Sequence, residues 1–346
     1  MNKFEKAFVN KNQLSGRALY VDGDTVWSSQ GRRLMWSSDL GQTWCQRAVL
    51  PVRGIHEYLA GYRIGRRLGR VGFHHLALAG ENLLVFIAHN NIFQLAAGER
   101  EIEYVAPLVG SRPLKTCVSN NLIYYGEYRS NKERSPVHIW AAAHRDLRNW
   151  VPVWTFEKVR HVHGVFYDPY TSAIWVTTGD ENEEASIWVT HDYFQTLSKV
   201  LGGSQKFRII QLLFSANHIY FGSDALQEKN YIYRMNRRDQ KIEQLSPIQG
   251  TVFHGCKVKD CLFFSTAVEP STFFTSPYAE VWGSCDGVTW KMVQRFRKDC
   301  FHMKLFQYGQ VFFPAGPGDD KNLWCTPMST EYDQTTIKIP IDLLFT

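Results

Sequence analysis

Apolar residues in this chain fall into short runs, and the runs come in pairs divided by a few turn-forming residues. "RALYV-DGD-TVWSS" spans 17–29 and "HLALA-GEN-LLVFIA" spans 75–88. "LKTCV-SNN-LIYYG" (114–126), "VHGVFY-DPYTS-AIWVTTG" (162–179) and "IIQLLF-SAN-HIYFGS" (209–223) follow the same plan. So do "GCKV-KD-CLFFST" (255–266) and "MKLF-QYG-QVFFPA" (303–315). Runs of this length, rich in β-branched and aromatic residues and bounded by Asn, Gly, Asp and Pro, predict β-hairpins. Few stretches sustain a 3.6-residue period, so helices are expected to be minor.

Aligned on one residue per pair, the seven copies start at 17, 74, 112, 161, 208, 254 and 302, with spacings of 57, 38, 49, 47, 46 and 48. A period near 40–50 with only strands inside marks a propeller whose repeat is one four-stranded blade. The expectation is an all-β, seven-bladed β-propeller forming a single domain over 1–346, with a sandwich of coincidental spacing as the alternative. "TTIKIPIDLLFT" (335–346) reads as a closing strand, and "FEKAFV" (4–9) as a segment that helps seal the ring edge.

Composition narrows the class. Hydrophobic residues at 44% and charged residues at 21% give a chain that can bury a core, which excludes bulk disorder. A net charge of +6 permits an acidic ligand. No basic stripe with interleaved aromatics appears, so no nucleic-acid partner is expected. The one basic run, "RIGRRLGR" (63–70), reads as a solvated loop or a lip. No apolar run approaches the roughly 20 residues of a membrane span, and the N-terminus lacks a secretion-signal core. Seven cysteines without a C-x-x-C pair read as reduced thiols, with Cys256 and Cys261 as packing residues. These features predict a soluble, cytoplasmic protein with no membrane partner.

A second pattern falls within the repeats. "SSDLGQTW" (37–44) reads Ser-x-Asp-x-Gly-x-Thr-Trp, "SCDGVTW" (284–290) is one residue shorter, and "THDYFQTL" (190–197) and "AHRDLRNW" (143–150) are degenerate copies. The chain therefore resembles the BNR, or Asp-box, repeat β-propellers of sialidase-like, glycosyl-hydrolase-like type. The resemblance implies that Asp39, Trp44, Asp286 and Trp290 stabilise turns between the third and fourth strands and take no part in chemistry. The sialidase motif Phe-Arg-Ile-Pro is absent, with "FRII" (207–210) a partial echo, and sialidases are typically six-bladed. That departure points away from sialic acid and toward acidic glycans in general.

The residues that open the seven copies are Arg17, His74, Arg112, His161, Arg208, His254 and His302, every one cationic or imidazole. The end of a second strand lies beside the start of the first in an antiparallel pair. There the sequence places Glu127, Asp180 with Glu181, Asp224 and Glu269, together with Tyr128, Arg129, Arg134, Arg160 and His163. Glu183 and Glu184 read as solvated. One face is expected to gather imidazoles, guanidiniums and carboxylates.

Converging cations suit an anionic sugar, because guanidinium forks a carboxylate. The first reading is a glycoside hydrolase on an acidic, uronate- or sialate-like saccharide, with Glu127 and Asp180 as the carboxyl pair such enzymes need. The second is a polysaccharide lyase, with His161 or His163 as base and Tyr128 as acid. In both, Arg112, Arg208, Arg160, Arg129, His74, His254, His302, Asp224 and Glu269 hold substrate. The third is a non-catalytic glycan-binding or scaffold propeller. No cofactor is expected; a divalent metal at the histidine ring is a secondary alternative, since no local ligand motif such as H-E-x-x-H occurs.

Overall fold

The computed structural model of the chain describes residues 14–80, 83–271 and 273–345. Among the described residues seven sheets follow one another along it, antiparallel except where Ala315–Gly318 joins Arg17–Asp22 in parallel, and the fold is a seven-bladed β-propeller. Blade 1 holds strands Arg17–Asp22, Thr25–Gln30, Arg33–Ser37 and Cys45–Val49, and blade 2 runs from His75–Ala79 to Glu103–Pro107. Blade 3 spans Thr116–Ser119 to Asp146–Phe156, blade 4 Val162–Asp168 to Ser198–Gly202, and blade 5 Leu212–Phe214 to Ile242–Ile248. Blade 6 spans Thr251–Val258 to Lys291–Arg297, and blade 7 pairs Gln310–Phe312, Asn322–Met328 and Ile337–Pro340. Among the described residues three short helices interrupt the strands: α1 (Ile55–Ala60), α2 (Arg63–Gly69) and α3 (Met303–Phe306).

The chain divides into two compact units. One comprises the described residues within Met1–Leu76, Arg100–Ile102 and Phe253–Thr346; the other comprises Ala77–Glu99 and Glu103–Val252. In the second unit, apolar cores fill the spaces between successive sheets. Val162, Val165 and Val176 of blade 4 pack with Tyr124, Val137 and Ile139 of blade 3. Phe166 and Trp175 of blade 4 pack with Leu212, Ile219 and Phe221 of blade 5. A lone hairpin is marginal in water, and this sheet-on-sheet burial is what holds the blades. The approach is close: a Cβ on Gly126 would meet Val162 Cγ1 at 2.2 Å, and one on Gly222 would meet Val252 Cγ2 at 2.3 Å.

In the first unit, the two ends of the chain are tied together. Tyr20 of blade 1 pairs in parallel with Ala315, and the backbone N–H of Ala18 donates to Thr326 Oγ1 of blade 7 at 3.0 Å. Thr336 Oγ1 donates to the Gly16 carbonyl, and Ser15 bridges Thr335. The strand expected over 335–346 is Ile337–Pro340, followed by a 3₁₀ turn at Ile341–Leu343. The segment 4–9 lies outside the described residues.

Inner strands begin at Arg17, His75, Thr116, Val162, Leu212, Thr251 and Gln310. The register read from sequence holds at Arg17 and is one residue early at His74 and His161. It places Arg112, Arg208 and His302 in the connections before their strands, and His254 inside its strand. The apolar run marks the buried middle of a strand, whereas the ladder starts where backbone partners are met.

Turns 37–44, 190–197 and 284–290 join third to fourth strands and share one bonding plan. Ser37 Oγ donates to Asp39 Oδ1 at 2.7 Å, and the N–H groups of Gln42 and Thr43 donate to the same oxygen at 3.0 and 2.9 Å. Thr190, Asp192 and Thr196 repeat this, as do Ser284, Asp286 and Thr289. The fourth stretch, 143–150, departs from the plan: Asp146 joins the ladder opposite Ala143. Trp290 is buried and stacks on Phe264.

Two further expectations are corrected. Cys261 and Cys285 stand opposite one another on adjacent strands, next to the Leu262–Ser284 pair, and form a disulfide. The run 63–70 is mostly helical rather than a loop, and Arg67 within it is buried. No helix among the described residues is long and apolar enough to cross a membrane.

Candidate metal and anion centre

The densest cluster of titratable side chains lies in the second unit, around Asp180. Strand Ala173–Thr178 of blade 4 delivers it, and Gly179 turns the chain there with φ +85°. A Cβ on Gly179 would meet the Glu184 carbonyl carbon at 2.2 Å, so a residue without a side chain is required. The Gly179 N–H donates to the His161 carbonyl at 3.1 Å, which brings Asp180 beside the start of the inner strand. His161 and His163 flank the first residue of that strand, two positions apart, with a bulge between Val162 and Gly164.

His161 Nε2 and His163 Nε2 each lie 3.3 Å from Asp180 Oδ1 and 3.1 Å from one another. The opposite ring nitrogens face backbone carbonyls: His161 Nδ1 meets Arg129 O and His163 Nδ1 meets Ile209 O, both at 3.2 Å. A carbonyl can only accept, so each Nδ1 carries a ring proton. Burial pushes the His163 imidazole down to about 4, against the pull of Asp180, so it is neutral near pH 7. Two imidazole nitrogens and a carboxylate oxygen thus converge on one point.

Guanidiniums stand around the carboxylate. Arg160 Nη1 is 3.0 Å from Asp180 Oδ2, and Arg208 Nη2 is 3.3 Å from Oδ1. Burial would raise the Asp180 carboxyl, but the imidazole contacts and the Arg208 charge outweigh it and hold the group far below the usual carboxylate range. Arg208 Nε also donates to Asp224 Oδ2 at 3.1 Å. Tyr128 packs on the His161 ring at 4.3 Å between centroids; burial, with Asp180 and Asp224 nearby, pushes its phenol up to about 12.

His161, His163, Asp180, Arg160, Arg208, Tyr128 and Asp224 are therefore brought together. Glu127 is turned elsewhere: its carboxylate is buried, accepts from Trp140 Nε1 at 2.8 Å and pairs with Arg129 at 3.5 Å. Arg112 is half-buried in its connection. In the first unit, His254 bonds Gln310 Oε1 at 3.0 Å and stacks on Phe312, with the Arg17 guanidinium 3.9 Å over the same ring. His74 and Glu269 are half-buried, and His302 is exposed at the head of α3.

Sequence reading passes over several contributors. Glu184 is buried rather than solvated, pairing with Arg134 and accepting from the Arg160 N–H at 2.8 Å. Gln205 Nε2 donates to the Asp180 carbonyl at 2.9 Å; its one sequence signal is its place three residues before Arg208. A pocket of about 370 Å³ in the same unit is lined by Ser204, Lys206, Ser223, Ala225, Glu228, Lys229, Tyr231 and Tyr233.

The three donor atoms suit a metal ion. A transition-metal ion with bonds of ~2.0–2.2 Å has ligand-to-ligand edges of roughly 2.8–3.6 Å between the octahedral and tetrahedral cases, and the observed edges are 3.1, 3.3 and 3.3 Å. All three donors lie within 4.8 Å of one another. The Nδ1-to-carbonyl contacts supply the outer partners that metal-bound histidines keep.

No family model matches the chain, and no curated protein matches it. Among solved structures it is similar to an oligogalacturonate lyase in complex with manganese, with a TM-score of 0.56 and 11% identity over 96% of this chain and 90% of that one. It is also similar to a chain of a mitotic checkpoint complex, with a TM-score of 0.60 and 9% identity over 94% and 89%. A third similar structure is YCF48 bound to a D1 peptide, with a TM-score of 0.51 and 12% identity over 71% and 73%. At these identities the likeness is one of fold.

Proposed function

We propose that the chain is a divalent-metal-dependent lyase acting on a uronate-containing oligosaccharide. The observation that carries this reading is the convergence of His161 Nε2, His163 Nε2 and Asp180 Oδ1 beside two guanidiniums. His161, His163 and Asp180 would hold the ion, which when bound supplies Lewis acidity toward a sugar carboxylate. That a manganese-bound oligogalacturonate lyase shares the fold supports the reading as precedent.

Elimination fits these residues better than hydrolysis. A glycoside hydrolase needs one protonated and one ionised carboxyl across the scissile bond. Here Asp180 is held ionised, Asp224 is engaged by Arg208, and Glu127 is committed to Trp140. Elimination instead needs a neutralised carboxylate, so that the C5 proton becomes acidic, and a donor for the leaving oxygen. Arg160 and Arg208 serve the first need. Tyr128, protonated up to about pH 12, serves the second. The C5 proton passes to a base, the C5–H electrons form the C4=C5 bond, the C4–O4 bond breaks, and Tyr128 protonates O4. The imidazoles hold the ion, so the base is a group outside the triad.

The test is a screen of uronate oligosaccharides with the manganese-loaded and the chelator-treated chain, read by ultraviolet absorbance and by reducing ends. Elimination raises both, and chelation abolishes both. Reducing ends without absorbance would restore hydrolysis. Binding without either signal would leave a glycan-binding propeller.

A further inference from the structure

Helices α1 and α2 form a hairpin that is inverted at α2. The inward side of α2 is polar, while α1 buries only Ala60. Arg67 is buried, its Nη1 is 2.5 Å from Asp299 Oδ2, and its Nε and Nη2 donate to the Phe306 carbonyl at 3.0 and 2.8 Å. Arg66 Nε donates to Gln334 Oε1 at 2.7 Å, and Gln307 Nε2 donates to the Arg67 carbonyl at 3.0 Å. Gly65 lets the two helices cross tightly, since a Cβ there would meet the Leu59 carbonyl oxygen at 2.5 Å.

Their outward side is apolar. Ile55 is 64% exposed, Tyr58 64%, Tyr62 58%, Ile64 48% and Leu68 50%. Ile55 and Tyr58 lie one turn apart on α1, Ile64 and Leu68 one turn apart on α2, and Tyr62 stands between the two helices. Single exposed apolar side chains are ordinary, but five within the fourteen residues 55–68 form a patch that marks an interface. The rim is cationic: Arg53 and Arg70 are exposed, Arg63 keeps half its side chain in solvent, and the lone acid, Glu57, pairs with Arg32 at 2.9 Å.

We propose that this hairpin seats the protein on an anionic lipid surface, as a peripheral contact rather than a span. Tyrosine rings and branched aliphatics suit the headgroup boundary, and arginines beside them suit anionic headgroups. A second copy of the chain is the poorer occupant, because a two-fold interface would bring two arginine rims together. This departs from the absence of a membrane partner expected from sequence, and it stands independently of the lyase reading.

The test is co-sedimentation of the full chain with phosphatidylcholine vesicles, with and without phosphatidylglycerol. The expected result is binding to the anionic vesicles that is roughly tenfold or more weaker without phosphatidylglycerol or in high salt, at about 1 kcal/mol per surface arginine. Tyr58→Ser with Leu68→Ser should lose it, and so should Arg53→Glu with Arg70→Glu, both with unchanged circular dichroism. Should one pair misfold, the other still decides. Absence of vesicle binding overturns the proposal. So does binding untouched by either pair, or a dimer in solution that Tyr58→Ser dissociates.

Discussion

His161 Nε2 and His163 Nε2 stand 3.1 Å apart, each ring pinned by a carbonyl on its far side. A divalent ion held between them would draw both nitrogens to itself. Addition of Mn²⁺ or Zn²⁺ to the chelator-treated chain should therefore raise its thermal midpoint through binding to the folded state. His163→Ala should weaken metal affinity by at least the roughly 10–100-fold that loss of an outer partner costs at such sites. Calorimetric titration checks this, and an unaltered isotherm in the variant refutes the site.

The carboxylates Asp180 and Glu127 should separate in their effects. Asp180→Asn removes a charge that four cationic or imidazole groups surround, so turnover should fall by on the order of 100-fold or more with the fold retained. Glu127→Gln keeps an acceptor for Trp140 Nε1 but loses the charge that Arg129 meets. It should cost about 1–3 kcal/mol of stability, with turnover per folded molecule unchanged. Denaturant melts paired with rate measurements distinguish the two. Loss of turnover at full stability in Glu127→Gln would return that residue to the chemistry.

Much of this was legible in the chain. The pairing of apolar runs and their period give the blade number, and the alignment of inner-strand starts brings His161, Arg208 and Asp180 to one place. Three things were not legible. The orientation of each imidazole ring depends on the carbonyls of Arg129 and Ile209, which carry no side-chain signal. Glu184 belongs to an acidic run that reads as solvated, and only the fold shows Arg134 and the Arg160 N–H behind it. The inverted hairpin needed knowledge of which side of α2 finds Asp299 and Gln334, since "RIGRRLGR" reads as solvated when its arginines are assumed to face outward.

The aspartates of the repeated turns set an acid limit on stability. Hydrogen bonds from Thr43 and Ser37 hold Asp39 down to about 2, and those from Thr196 and Thr190 do the same for Asp192. At Asp286 burial acts in the opposite sense, but the N–H groups of Val288 and Thr289 prevail, again to about 2. A carboxyl with a depressed folded-state value contributes fully above its unfolded value of about 4 and loses that contribution as pH falls toward 2. The thermal midpoint should therefore drop steeply between about pH 4 and 2. Asp39→Asn with Asp192→Asn should lower the midpoint at pH 7 and flatten that drop, leaving turnover at neutral pH unchanged.

The cysteines divide into one bonded pair and five thiols. Alkylation of the denatured chain without reductant should label Cys45, Cys117, Cys256, Cys300 and Cys325, and reduction should add Cys261 and Cys285. The bond closes a loop between strands 24 residues apart in sequence, for which chain-entropy estimates give roughly 2–4 kcal/mol. Its sulfurs sit at the turn end of blade 6, with Cys285 next in sequence to Asp286. Cys285→Ser should thus lower the denaturation midpoint by that order and leave metal binding intact. Labelling of seven thiols in the unreduced chain would show that the pair is open, and the predicted stability loss would then vanish with it.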